Sequence, residues 1–190
     1  WIARRYSVAP EPVSRLVQEA WSVGRRSGVD PTLILAIMAV ESSFNPFAQS
    51  SVGAQGLMQV MTRIHDDKYL AFGGNHAAFD PLTNLRVGVQ VLRECIARAG
   101  SLEDGLRFYV GAANLADDGG YASKVLSEQA HLRQVAAGRV VAINAPQSGV
   151  TVPVRATTAA PPTADATVDA PAPPERPAPA AASEQLAMRG

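Results

Sequence analysis

All 11 aromatic residues lie at or before Tyr121, and this asymmetry decides how much of the 190-residue chain can fold. Residues 145–190 hold 9 of the 14 prolines, 13 alanines and no aromatic side chain. Such a stretch cannot bury enough apolar surface to offset the entropy of ordering it, so a disordered, extended tail is expected there. The folding unit is expected within residues 1–144, enough for one compact core and too little for two ordinary domains. Lys plus Arg is 17 and Asp plus Glu is 17. That balance argues against a nucleic-acid binder, which carries a basic excess, and leaves no polybasic segment for anionic lipid. The longest clean apolar run, Leu33 to Val40, falls far short of a membrane span of roughly 20 residues, so no transmembrane segment is expected. The one cysteine, Cys95, has no partner for an intramolecular disulfide and reads as a small buried apolar residue. The first residue is Trp1 rather than Met, so an N-terminus that has been processed or trimmed is expected, and no signal peptide is visible in the sequence.

Within residues 1–144 the apolar spacing is helical almost throughout. Val13, Leu16, Val17, Ala20 and Trp21 form one stripe that ends at Gly24 or Gly28. Asp30-Pro31 and Asp80-Pro81 are helix starts, with Asp as N-cap and Pro at the first helical position. The first such helix runs through Leu33, Ile34, Ile37 and Met38 to about Ser43, where Asn45-Pro46 stops it. Residues 46–55 suit a loop or short hairpin, and a short helix is expected across Leu57 to Ile64. Leu85, Val89, Leu92 and Ile96 mark a helix closed by Gly100. Ser101 and Asp104 cap the next, with Leu102, Leu106 and Tyr109 on one face. A last helix carries Tyr121, Val125, Leu132 and Val135 and ends near Gly138. The fold class is mainly α, with at most a small β-hairpin.

Glu41 breaks the pattern. It follows Ile34, Ile37 and Met38 by seven, four and three residues, so it lies on the apolar stripe of its helix. One reading is a frayed helix end reaching water, the commoner fate of a Glu. The other is a carboxyl held in an apolar setting. The helix dipole disfavours its charge by roughly 0.3–1 kcal/mol, whereas complete burial raises a carboxyl by up to about 3–5 pKa units. Both effects favour the neutral acid and desolvation dominates. A carboxylic acid kept protonated near neutral pH is a general acid for a leaving oxygen.

A second carboxylate would complete the usual glycosidase pair, yet residues 42–65 contain no Asp or Glu. Asp66, Asp67, Asp117 and Asp118 fall in expected surface segments. Glu41 is then left to work alone, with the substrate supplying the second group. His65, His76 and His131 have no ligand spacing with one another, and neither a metal nor a cofactor is expected.

The run ESSFNPFAQSSVGAQGLMQVM, Glu41 to Met61, closely resembles the core motif of bacterial lytic transglycosylases of glycoside hydrolase family 23. The preceding GVDPTLILAIMAV and the later RFYVGAAN and YASKVL fit the same family, so the resemblance covers roughly residues 12–137. It implies a lysozyme-like domain in which Glu41 is the single acid/base, followed by Ser42. It places Ser50, Gln59 and Met61 in a sugar-binding cleft. Tyr109 takes the position of a tyrosine whose hydroxyl contacts the catalytic Glu, and Tyr121 that of a second cleft tyrosine. Val110 and Gly111-Ala112 depart from the family pattern, and Asn114 is a candidate to replace the lost hydrogen bonding. Taken alone, Tyr109 also reads as core, Tyr121 as a helix-start packing residue, Ser50 as a turn residue, and Met58 and Met61 as core gap-fillers.

The activity implied is non-hydrolytic cleavage of the β-1,4 bond between N-acetylmuramic acid and N-acetylglucosamine, closing a 1,6-anhydromuramic end. The partner implied is the peptidoglycan strand, in the periplasm or cell envelope, met by a monomer. The tail then serves as a spacer or recruits envelope partners. Two rivals differ in chemistry: a goose-type lysozyme that lets water attack, and a peptidoglycan-binding module without activity.

Overall fold

The computed structural model describes residues 1–147 of the chain. Seven α-helices are seen there: α1 (Ile2–Arg5), α2 (Pro10–Ser27), α3 (Pro31–Ser42), α4 (Asp66–Leu70), α5 (Pro81–Ala99), α6 (Leu102–Tyr109) and α7 (Tyr121–Ala136). A short 3-10 helix, Asn75–Phe79, precedes α5. Strands β1 (Ala54–Gln55) and β2 (Val60–Met61) form an antiparallel hairpin, pairing Ala54 with Met61 and Gln55 with Val60.

Local chemistry sets the helix ends. Asp30 caps α3 by accepting from the Thr32 amide at 2.8 Å, and Asp80 caps α5 by accepting from Thr83 at 2.8 Å. Each is followed by proline at the first helical position, where the missing N–H costs nothing. Ser101 Oγ accepts from the Asp104 amide at 3.1 Å to open α6. Gly28 and Gly100 close α2 and α5 in the left-handed conformation.

Helix α3 is the centre of the core. Its residues Leu33 to Ala39 are all buried, and it packs between α2 and α7. Helix α5 packs against α2 on one side and α6 on the other. Helices α3 and α7 run antiparallel. Arg133 and Gln129 of α7 reach Asp30 at the start of α3, at 2.7 and 3.3 Å, while Tyr121 reaches Glu41 near its end.

Three expectations change. The segment expected as a helix across Leu57 to Ile64 instead holds the turn and second strand of the hairpin, because side chains from α5 and α6 fix its backbone. Trp21, expected in the core stripe of α2, is 59% exposed, because the buried face is Val13, Leu16, Ala20, Val23 and Gly24. Ordered chain also continues past 144, where Gln147 Nε2 donates to the Tyr6 hydroxyl and to Glu128, each at 3.4 Å. The rest of the expected tail, 148–190, lies outside the described residues.

Candidate active site

The catalytic candidate sits where a helix that is apolar from Leu33 to Val40 meets a sharp reversal. After Glu41 and Ser42 the chain leaves α3 through two consecutive left-handed residues, Ser43 at φ 50° and Phe44 at φ 64°. Their amides close the helix end by donating to Ala39 and Met38 carbonyls. Neither residue is glycine, so this turn stores strain that the surrounding packing holds. Phe44 is buried and supplies much of that packing. The Ser42 hydroxyl lies 3.0 Å from the Met38 carbonyl and 2.8 Å from that of Leu57, tying the helix end to the hairpin.

The hairpin is held from below by Asn84 of α5, which is fully buried. Its Oδ1 accepts from the Met58 amide at 2.8 Å, and its Nδ2 donates to the Gln55 carbonyl at 2.9 Å and the Tyr69 hydroxyl at 3.2 Å. From α6, the Tyr109 hydroxyl donates to the Met58 carbonyl at 2.7 Å. Met58 therefore has both backbone groups fixed by side chains of other helices. Gly56 makes this possible. It has φ 77°, and a Cβ there would stand 2.2 Å from the Ala78 carbonyl oxygen and 2.4 Å from Asn84 Nδ2. These pins override the helical spacing of Leu57, Val60, Met61 and Ile64.

The remaining cleft candidates divide between the hairpin and the loop beyond α6. Gln59, at φ 46°, donates through Nε2 to the Ala48 and Gly56 carbonyls, both at 3.0 Å, which leaves its Oε1 without a hydrogen bond among the described residues. Ser50 Oγ accepts from the Ala54 amide at 3.0 Å. Met61 is half-buried on β2. Asn114 is exposed in the connection between α6 and α7 and makes no hydrogen bond there among the described residues.

The contact to Glu41 comes from Tyr121, not Tyr109. The Tyr121 hydroxyl donates to Glu41 Oε1 at 2.6 Å. Tyr109 is near enough for the Glu41 charge to be felt, but its hydroxyl is committed to Met58. The reversal has a plain cause: Tyr109 ends α6, which packs on α5 beneath the hairpin, whereas Tyr121 opens α7, which runs along α3.

Burial pushes the Glu41 carboxyl up to about 7, and the hydrogen bond from Tyr121 pulls in the opposite direction without cancelling it. Burial and the negative charge of Glu41 drive the Tyr109 and Tyr121 phenols well above their ordinary value, so both remain neutral donors. Asp118 is close enough to add to this effect at Tyr121. Its own oxygens accept from the Gly120 and Ala122 amides at 2.9 Å, so it caps α7. Glu41 Oε2 makes no hydrogen bond among the described residues. Among the same residues no group of three or more His, Cys, Asp or Glu is placed to hold a metal.

Sequence reasoning missed Asn84, Tyr69 and Gly56. The signal for Asn84 was available. It lies beside Leu85 and four before Gly88 on the buried face of α5, a polar residue where an apolar one is usual.

The model of the transglycosylase SLT domain matches residues 20–123. The chain belongs to this family. Glu41, both tyrosines and the whole hairpin lie inside the match, whereas α1, most of α7 and the 139–147 segment lie outside it. Among the SLT-domain relatives is membrane-bound lytic murein transglycosylase C of Mannheimia succiniciproducens, 38% identical over 97 residues. That alignment covers 48% of this chain and 26% of the relative. Another is a transglycosylase of Enterobacteria phage PRD1, 37% identical over 91 residues, covering 48% of this chain and 32% of the relative. The chain thus spans about a quarter to a third of the length of these relatives. An X-ray structure of lytic transglycosylase Slt from Pseudomonas aeruginosa, solved as an inactive Glu-to-Gln mutant, shares the fold. Its TM-score is 0.57 at 20% identity, covering 65% of this chain and 24% of that one.

Proposed function

We propose that this SLT domain is a peptidoglycan lytic transglycosylase in which Glu41 acts first as acid and then as base. The observation that carries the reading is a single half-buried carboxyl, poised near neutrality and held by one phenol, on a domain of this family. Protonated Glu41 gives its proton to the glycosidic oxygen between N-acetylmuramic acid and N-acetylglucosamine. As that bond breaks, the muramic acetamido group stabilises the developing cation at C1, the role a second carboxylate has elsewhere. The C6 hydroxyl of the same sugar then attacks C1 and its proton passes to the Glu41 carboxylate. The enzyme is restored, no water is consumed, and the new end is a 1,6-anhydromuramic residue.

Tyr121 orients Glu41 and steadies its anion between the two steps. Gln59, through its open Oε1, and Met61 and Asn114 face the glycan in this reading. Ser42, Ser50 and Tyr109 act by holding the hairpin. The substrate places the domain in the periplasm or at the cell envelope, in line with the membrane-bound relatives. No helix among the described residues is long and apolar enough to cross a membrane. Catalysis rests on residues 1–147, with the remainder a spacer.

Purified sacculi digested with the protein and analysed by muropeptide mass spectrometry test this reading. The expected products carry anhydro ends. Reducing ends would mean that water attacks, as in a goose-type lysozyme, and no products would mean a binding module.

A further inference from the structure

A second buried Glu, on α7, has no part in the chemistry above. Glu128 is fully buried and lies seven residues, two helical turns, beyond Tyr121 on the same stripe. Its Oε2 meets Arg5 Nη2 at 2.9 Å, and its Oε1 accepts from the Tyr6 hydroxyl at 2.7 Å. Arg5 also donates to the Ile143 carbonyl at 2.7 Å and lies over the Trp1 ring, while the Trp1 indole donates to the Val141 carbonyl at 2.9 Å. His131 Nδ1 stands 3.5 Å from Glu128 Oε2 and makes no hydrogen bond among the described residues. With Gln147, these groups close the node around Glu128.

Such an arrangement is a poor way to gain stability. A buried ion pair costs about as much in desolvation as it returns, and packed apolar residues often do as well. What it does supply is a fixed geometry, and Tyr6 shows where that geometry is applied. Its hydroxyl holds α7 through Glu128, and its ring packs on Phe44 at 5.1 Å between centroids. Phe44 is the left-handed residue that ends the turn after Glu41. One side chain therefore touches both elements whose relative placement sets the 2.6 Å contact between Tyr121 and Glu41. Tyr6 and Glu128 both lie outside the residues shared with the SLT family.

We infer that Tyr6 and Glu128 are positioning residues for the Tyr121–Glu41 pair, locking α7 against the end of α3 from behind the site. The inference takes Glu41 as the acid of the proposed reaction, but its test does not depend on that reaction. The groups facing Glu41 are Tyr121 from α7 and Tyr109 from α6, with Asp118 acting through Tyr121. If α7 slackens, the Tyr121 donor weakens and the Glu41 carboxyl rises further.

The test is a titration of the Glu41 carboxyl by NMR in the wild-type chain, in Tyr6→Phe and in Glu128→Gln. Tyr6→Phe keeps the ring on Phe44 and removes the hydroxyl, so it remains informative if Glu128→Gln fails to fold. The expected result in Tyr6→Phe is an upward-shifted Glu41 midpoint. Turnover should fall about three- to tenfold, a usual size for a residue acting through a packed network, with KM little changed. A lowered melting temperature with an unmoved Glu41 midpoint would overturn the inference and make the node purely structural. A wild-type protein inactive on peptidoglycan would instead overturn the proposed reaction, and the titration would still decide the positioning role.

Discussion

Glu41→Gln should abolish peptidoglycan cleavage and, above neutral pH, raise the melting temperature. Proton transfer by a positioned side chain is worth about 10²–10⁴-fold. In the proposed reaction one carboxyl serves both steps, and no second carboxylate acts on it among the described residues, so the loss belongs at the upper end of that range. The stability change follows from the raised carboxyl. Its midpoint is about 7 in the folded chain, against about 4.3 unfolded. A folded value above the unfolded one means that the favourable contribution of this group is complete below about 4.3. It is lost as the pH rises through about 7. Gln is neutral throughout and still accepts from the Tyr121 hydroxyl, so it does not suffer this loss. Melting curves of the two proteins should nearly coincide at pH 4 and separate at pH 8, with the variant the more stable. A variant that retains most of its turnover would contradict the one-acid reaction. A melting difference independent of pH would contradict the buried carboxyl.

Tyr121→Phe should slow turnover by about 10- to 100-fold with little change in glycan binding. The ring is buried and stays, and the change removes the donor to Glu41 Oε1. A hydrogen bond to a charged group is worth roughly 1.5–3 kcal/mol. If it is made chiefly to the anion formed after the first proton transfer, its loss appears in kcat. Glu41 must be protonated to begin the reaction, so its titration forms the basic limb of the pH–rate profile. Tyr121 holds that value down, hence the variant's basic limb should move to higher pH. Tyr109→Phe is the comparison: it loses a bond to the Met58 carbonyl, acts through the hairpin, and should leave the limb in place. Wild-type turnover with an unmoved limb in Tyr121→Phe would remove Tyr121 from the reaction.

Much of this architecture was legible in the sequence where local chemistry decides it. The Asp-Pro starts of α3 and α5, the Ser101 cap and the glycine stops are short-range features. The apolar stripe that exposes Glu41 as an anomaly belongs to a single helix. The misread elements are those decided by distant partners. Leu57, Val60, Met61 and Ile64 have the spacing of a helical stripe, and a hairpin replaces it because Asn84, Gly56 and Tyr109 fix that segment from α5, the turn and α6. The sequence reading assigned the Glu41 contact to Tyr109, whereas Tyr121 makes it. Nothing in their spacing says that α6 lies beneath the hairpin and α7 alongside α3. Trp21 lies at the edge of a stripe whose centre is elsewhere on α2, so its apolar character did not bring it inside. Glu128 interrupts the stripe of Tyr121, Val125 and Leu132 in the way Glu41 interrupts its own. The same argument applied to α7 would have found it.

The proposed reaction depends most on one proton. A carboxyl-carbon NMR titration of Glu41 in the wild-type chain measures it directly, without substrate and without an assumption about the reaction. A midpoint near 7 is the predicted result, since burial outweighs the Tyr121 hydrogen bond. A midpoint in the ordinary carboxylate range, about 4.3, would mean an ionised Glu41 at neutral pH with no proton to give, and would remove Glu41 as the acid.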